Sequence, residues 1–173
     1  MSNFLNNKKA YLSGPIEYDH ESLNWRTEPV KILTEKFGID VFDPFADPKQ
    51  QWAEKLKEAK ITKDFETISN VAHAFVRKDL HQVDLSHLLI AYIPHKTPTT
   101  GTVHEIINSN NSKKPTLLVS NTGDISNIPA WYFGFIPIEF IFPNWNSLYE
   151  YLEKVNDPEQ KVHDRWKFIQ GKI

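Results

Sequence analysis

Glu105 is the residue with the clearest chemical possibilities. It follows a hydroxyl-rich stretch, Thr99-Thr100-Gly101-Thr102, and opens an apolar-patterned segment, Val103-His104-Glu105-Ile106-Ile107. That pattern predicts a helix with Glu105 in its first turn. A carboxylate there is held ionised by the helix dipole, which suits a nucleophile. Thr99, Thr100 and Gly101 supply small donors beside free helix amides, the makings of a phosphate cradle. The same residues also spell a capping box, with the Thr102 hydroxyl on the amide of Glu105 and the Glu105 side chain reaching back. That alternative assigns Glu105 no chemistry, and both readings stand at this point.

Other chemically capable residues are less pointed. The seven histidines include His73, His81, His87, His95 and His104, and their spacing fits no compact metal-ligand pattern. No metal is expected. Trp25-Arg26 has the types to stack on a base or pair with a phosphate, although a Trp at helical spacing is more often core and its neighbouring Arg solvated. Trp131-Tyr132-Phe133 is an aromatic cluster suited to a base, a pocket rim or an oligomer contact. Asn121-Thr122-Gly123-Asp124 is turn-like in composition.

These residues need a scaffold, and the flanking sequence supplies one. Leu88 to Ile93 is an apolar run broken at Pro94, and Thr116 to Val119 is a second run after Lys113-Lys114-Pro115. Strand, loop, helix and strand make one βαβ unit. Upstream, Ala10 to Ser13 reads as a strand ended by Gly14-Pro15. A helix is expected from Trp25 to Phe37, closed by Gly38, and a strand from Ile39 to Phe42, stopped by Asp43-Pro44. Gln51 to Lys60 is charged and helical, and Phe65 to Val83 holds one or two helices. Phe135 to Phe142 is expected as a late strand, and Asn146 to Val155 as a closing helix capped by Asn146 or Ser147. Alternating strands and helices imply a mostly parallel sheet covered on both faces. The loops after Ser13, Phe42 and Ile93 then emerge at one edge, where ligands bind. Gly14 there permits close backbone approach to a ligand.

The bulk numbers bound the class. The chain has 173 residues, 40% of them hydrophobic, and a formal net charge of −2. One domain with a real core fits this length, and general nucleic-acid binding does not fit this charge. Cysteine is absent, which excludes disulfides, thiol nucleophiles and Cys-ligated zinc. No apolar run approaches the roughly 20 residues of a membrane span. Met1 to Leu5 lacks the pattern of a signal peptide. A cytoplasmic, soluble protein is the expectation.

Taken in order, several segments resemble the nucleoside 2-deoxyribosyltransferase superfamily, which includes N-glycosidases of deoxynucleoside 5′-monophosphates. The matching pieces are Tyr11-Leu12-Ser13-Gly14-Pro15; Asp79-Leu80 and Val83 leading into Leu88 to Ala91; Thr100-Gly101-Thr102 with Glu105-Ile106; and Lys114-Pro115. The resemblance implies a flavodoxin-like (Rossmann-like) α/β sheet with helices on both faces, over a single domain of residues 1–155. Residues 156–173 form a tail expected to dock, through Trp166, Phe168 and Ile169, on the domain or on a neighbouring subunit.

The resemblance also implies a chemistry. The family's helix glutamate attacks the anomeric carbon and forms a covalent deoxyribosyl intermediate, which water or a second base resolves; that role maps onto Glu105. In monophosphate-specific members a hydroxyl residue six positions earlier contacts the phosphate, and Thr99 stands there. Tyr11, Gly14, Asp43, Thr100 and Gly101 are the further substrate-binding candidates. A second carboxyl usually helps the base to leave, about 5 Å from the first in retaining glycosidases. The family often places an aspartate just before the third strand, where this chain has Ser86-His87. The acid is therefore His87, Asp84 or Asp43, or is missing. A small-molecule nucleoside or nucleotide is the expected partner, no cofactor is required, and a homo-oligomer is expected. The alternative function is a catalytically idle nucleotide-binding protein, a sensor or inhibitor on the same fold.

Overall fold

A computed structural model describes residues 3–16, 22–45, 50–94 and 100–170. Five strands form one sheet: β1 (Lys9–Ser13), β2 (Asp40–Phe42), β3 (Leu88–Tyr92), β4 (Thr116–Val119) and β5 (Ile141–Phe142). Every pairing is parallel and the spatial order is β2-β1-β3-β4-β5. This is the flavodoxin-like order, whose direction of winding reverses between β1 and β3. Parallel strands with both faces covered must be apolar throughout. Leu12, Leu88, Ile90, Leu117, Leu118 and Val119 are accordingly all fully buried.

The connecting helices among the described residues are α1 (Thr27–Glu35), α2 (Gln50–Thr62), α3 (Phe65–Leu85), α4 (Thr100–Asn111), the short α5 (Ala130–Phe133), α6 (Trp145–Asn156) and α7 (Arg165–Gln170). A 3-10 turn, Ser22–Arg26, leads into α1. Beyond α1, Gly38 turns the chain at φ +67°, where a Cβ would also strike the Asn6 side chain. Phe65 to Leu85 is one continuous helix, with Asp64 accepting from the Thr67 amide at its start. At its far end the Lys114 ammonium donates to the carbonyls of Val83 (2.7 Å) and Asp84 (2.6 Å), two of the last acceptors of the helix.

Three local expectations are corrected. Phe135 to Phe142 is not one strand: Pro137 caps a 3-10 turn over Ile138–Phe140, and only Ile141–Phe142 pairs with β4. The cap of α6 is Asn144, which accepts from the Ser147 amide, rather than Asn146 or Ser147. Most consequential, α4 begins at Thr100. Thr102 is therefore inside the helix and cannot be its N-cap, and Glu105 lies in the second turn rather than the first.

The tail joins the core. Trp166 of α7 is fully buried, and its indole N–H donates to the Tyr151 hydroxyl at 2.8 Å. Among the described residues no helix is long and apolar enough to cross a membrane.

Candidate active site

Side chains alternate along a strand, so Tyr11 and Ser13 of β1 share one face. That face meets α4, which packs against β1 and β3. There the Tyr11 hydroxyl donates to Glu105 Oε1 at 2.8 Å, and the Ser13 hydroxyl donates to Glu105 Oε2. Each carboxylate oxygen is thus held by its own hydroxyl. Glu105 is 9% exposed and Tyr11 and Ser13 are fully buried. Glu105 stands after β3 and Ser13 ends β1, so the carboxylate occupies the topological switch point, the place where such sheets bind ligands.

Burial pushes the Tyr11 hydroxyl far above its ordinary range, and the negative charges of Glu105 and Asp79 add to this, with Arg26 opposing. Tyr11 is therefore a proton-bearing donor at any working pH. Asp79, on α3, is close enough to act on the Tyr11 hydroxyl through its charge. In the residue pattern Asp79 stood out only as part of the matched Asp79-Leu80 pair.

On the other side of β1 lies a buried cation. Arg26 is 2% exposed; its guanidinium donates to the Leu12 carbonyl (2.9 Å), the Gly14 carbonyl (3.1 Å) and Asp43 Oδ1 (3.0 Å). Burial lowers its pKa, and Asp43, Tyr11 and Glu105 oppose that shift. An arginine keeps its charge under these conditions. The expectation of a solvated Arg26 is overturned because strand β2 ends early and leaves carbonyls to satisfy. Asp43 also accepts from the Phe45 amide at 2.9 Å, so it anchors a loop as well as a cation.

Gly14 has a different role from the one expected. A Cβ there would lie 2.4 Å from Trp25 Cζ2, so its lack of a side chain makes room for an indole ring of the protein itself. Trp25 in turn stacks on Trp145 with ring centroids 5.7 Å apart, and packs on Tyr92.

His87 and Asp84 are not at the site. His87 Nδ1 accepts from the Lys9 amide at 2.9 Å, and its own amide donates to the Lys9 carbonyl. Lys9 precedes Ser13 by four residues, which at the usual strand rise is about 13 Å. Asp84 accepts from Asn108, about one turn beyond Glu105 on α4. Both lie towards the amino edge of the sheet, away from the Ser13 end of β1 where the Glu105 carboxylate is held. Spacing along the sequence counted them near β3 without distinguishing its two ends.

Thr100 and Gly101 are exposed at the start of α4, and a Cβ on Gly101 would meet open space. Thr99 and His95 lie outside the described residues. Trp131 is 81% exposed while Tyr132 beside it is buried, so the aromatic cluster is divided between surface and core. Among the described residues no group of three or more His, Asp or Glu could hold a metal ion.

Fold and site together define a doubly wound α/β protein with a hydroxyl-clamped carboxylate at its switch point. No family model and no curated protein sequence matches the chain. Among solved structures it is similar to a 2-deoxyribosyltransferase from the psychrotolerant bacterium Bacillus psychrosaccharolyticus, described as a biocatalyst for nucleoside synthesis. The identity is 25% and the TM-score 0.56, over 81% of this chain and 89% of that one. This likeness, in fold and over most of both chains, supports the resemblance to the nucleoside 2-deoxyribosyltransferase superfamily.

Proposed function

We propose that the protein cleaves the N-glycosidic bond of a 2′-deoxynucleoside or its 5′-monophosphate, with Glu105 as nucleophile. The observation that carries this reading is the Glu105 carboxylate, gripped on both oxygens by Tyr11 and Ser13 at the switch point. A carboxylate with fixed oxygens can be presented to a sugar carbon in one orientation, which is where much of the gain from an intramolecular nucleophile arises.

Glu105 forms an ester bond to the anomeric carbon as the bond to the base breaks. The base leaves with the bonding electron pair and takes a proton from an acid. Water, or the nitrogen of a second base, then attacks the same carbon, restores the carboxylate and gives up a proton. Asp79 or Asp43 is the acid; both lie towards the substrate end of β1, unlike His87 and Asp84. Thr99, Thr100 and Gly101 bind sugar or phosphate at the start of α4. A homo-oligomer and a cytoplasmic location remain part of this reading, drawn from the sequence.

The test is incubation with a panel of deoxynucleosides and deoxynucleoside monophosphates, with and without a second free base, followed by chromatography. Free base without acceptor marks a hydrolase, and a new nucleoside marks a transferase. Glu105→Gln keeps the shape, removes the charge and is expected to lower turnover by orders of magnitude. Base release by Glu105→Gln at the native rate overturns the mechanism. Binding of nucleotides with no base release favours the idle nucleotide-binding alternative.

A further inference from the structure

We propose that Arg26 is a positioning residue for Glu105, acting through Ser13. This deepens the reading above and rests on Glu105 as nucleophile.

The argument begins with the uneven lengths of two paired strands. Strand β1 runs to Ser13, but β2 stops at Phe42, opposite Tyr11. Carbonyls alternate in direction along a strand. The Lys8 carbonyl accepts from Asp40 of β2, and the Lys9 carbonyl accepts from His87 beside β3. The even-numbered carbonyls therefore face β2. Beyond Phe42, those of Leu12 and Gly14 have no strand to bond with. The Arg26 guanidinium occupies that place, one nitrogen on Leu12 and the other on Gly14. Asp43, next in line after β2, holds the same guanidinium.

Leu12 and Gly14 are the two neighbours of Ser13. The Leu12 carbonyl lies in the peptide plane that enters Ser13 and the Gly14 carbonyl in the plane that leaves Gly14, so the guanidinium ties down the backbone on both sides of Ser13 and with it the direction of its Cβ and hydroxyl. That hydroxyl holds Glu105 Oε2. A planar, forked cation is required, because two carbonyls two residues apart must be bridged at once. A lysine carries the charge but presents a single nitrogen. The guanidinium face also lies on the Trp25 ring, 4.4 Å from its centroid, and the same ring fills the space above Gly14.

The test compares wild type, Arg26→Lys and Glu105→Gln by initial rates of base release on the best substrate of the panel. Arg26→Lys is expected to lower kcat on the order of 10–100-fold, as for a small misplacement of a reacting group. KM should stay within about threefold, since no contact to substrate is removed. Free guanidinium ion should restore part of kcat to Arg26→Ala. An Arg26→Lys enzyme with native kcat, beside an inactive Glu105→Gln, overturns the clamp and leaves the nucleophile standing. A wild type that releases no base overturns both. Should Arg26→Lys not fold, Arg26→Gln keeps a planar donor for only one of the two carbonyls; kcat is expected to fall with KM within about threefold, and native kcat or a change in KM alone overturns the proposal.

Discussion

The Tyr11 hydroxyl and the Glu105 carboxylate are 94 positions apart in the chain and 2.8 Å apart in the fold. Removing that hydroxyl should show what it contributes. In Tyr11→Phe the ring still fills its place, while Glu105 keeps only the Ser13 bond. A hydrogen bond to a charged group contributes about 1.5–3 kcal/mol, so kcat is expected to fall about 10- to 150-fold. Native or raised kcat, measured by base release, shows that the bond does not orient the nucleophile. Since Tyr11 stays protonated, Tyr11→Phe should leave any alkaline limb of the rate profile where it was.

Gly14→Ala tests the packing above β1. The new methyl would meet Trp25 Cζ2 at 2.4 Å, and the indole is held between Tyr92 and Trp145. Overpacking of this kind costs about 1–3 kcal/mol. A lower midpoint of thermal unfolding and a shifted tryptophan emission are expected. Unchanged stability shows that Trp25 yields freely.

His87 is expected to govern acid stability rather than catalysis. Burial, and then the charges of Lys8, Lys9 and Lys114, lower its pKa below the ordinary 6.5. The unfolded chain therefore binds more protons than the folded one at mildly acid pH. The stabilisation from a neutral His87 is complete above 6.5 and is lost as pH falls from there through the lower folded value. In His87→Asn the amide oxygen can still accept from Lys9, but nothing titrates. Thermal unfolding at pH 7 and pH 5 should differ less in the variant than in the wild type, and base release at pH 7 should be unchanged. A variant with its pH dependence intact, or with lost activity, contradicts this placement.

Trp166→Ala tests the tail. The side chain is fully buried and its N–H is bonded to Tyr151, so truncation should cost about 3–5 kcal/mol by denaturant unfolding. A loss below about 1 kcal/mol shows that α7 contributes little to the fold.

Thr99→Ala tests the phosphate assignment made from its place ahead of α4. KM for a monophosphate should rise more than KM for the unphosphorylated nucleoside. An equal effect on both removes that assignment.

Much of this protein was legible in its residues. Apolar runs broken by Pro and Gly mark β1, β3 and β4 because a strand buried on both faces leaves no room for polar side chains. The alternation of strand and helix yields a parallel sheet because parallel neighbours need a crossover. Tyr11 and Glu105 were singled out in advance, and Ser13 was within reach, since it lies two residues from Tyr11 on the same strand face. The sequence also misled in a consistent way. Thr102-Val103-His104-Glu105 has the spelling of a capping box, but the helix starts at Thr100, and the Glu105 side chain turns to two hydroxyls of another element. Local spelling cannot weigh a distant partner. His87 and Asp84 are near β3 in the chain but at its amino end, and only the parallel register with β1 separates the two edges. Arg26 is the sharpest case. Its burial follows from β2 being shorter than β1, a difference that leaves two carbonyls unpaired beside Ser13. The order of the elements was written in the residue pattern. Which strand stops first, and which side chain must then satisfy the exposed backbone, was decided only when the strands paired.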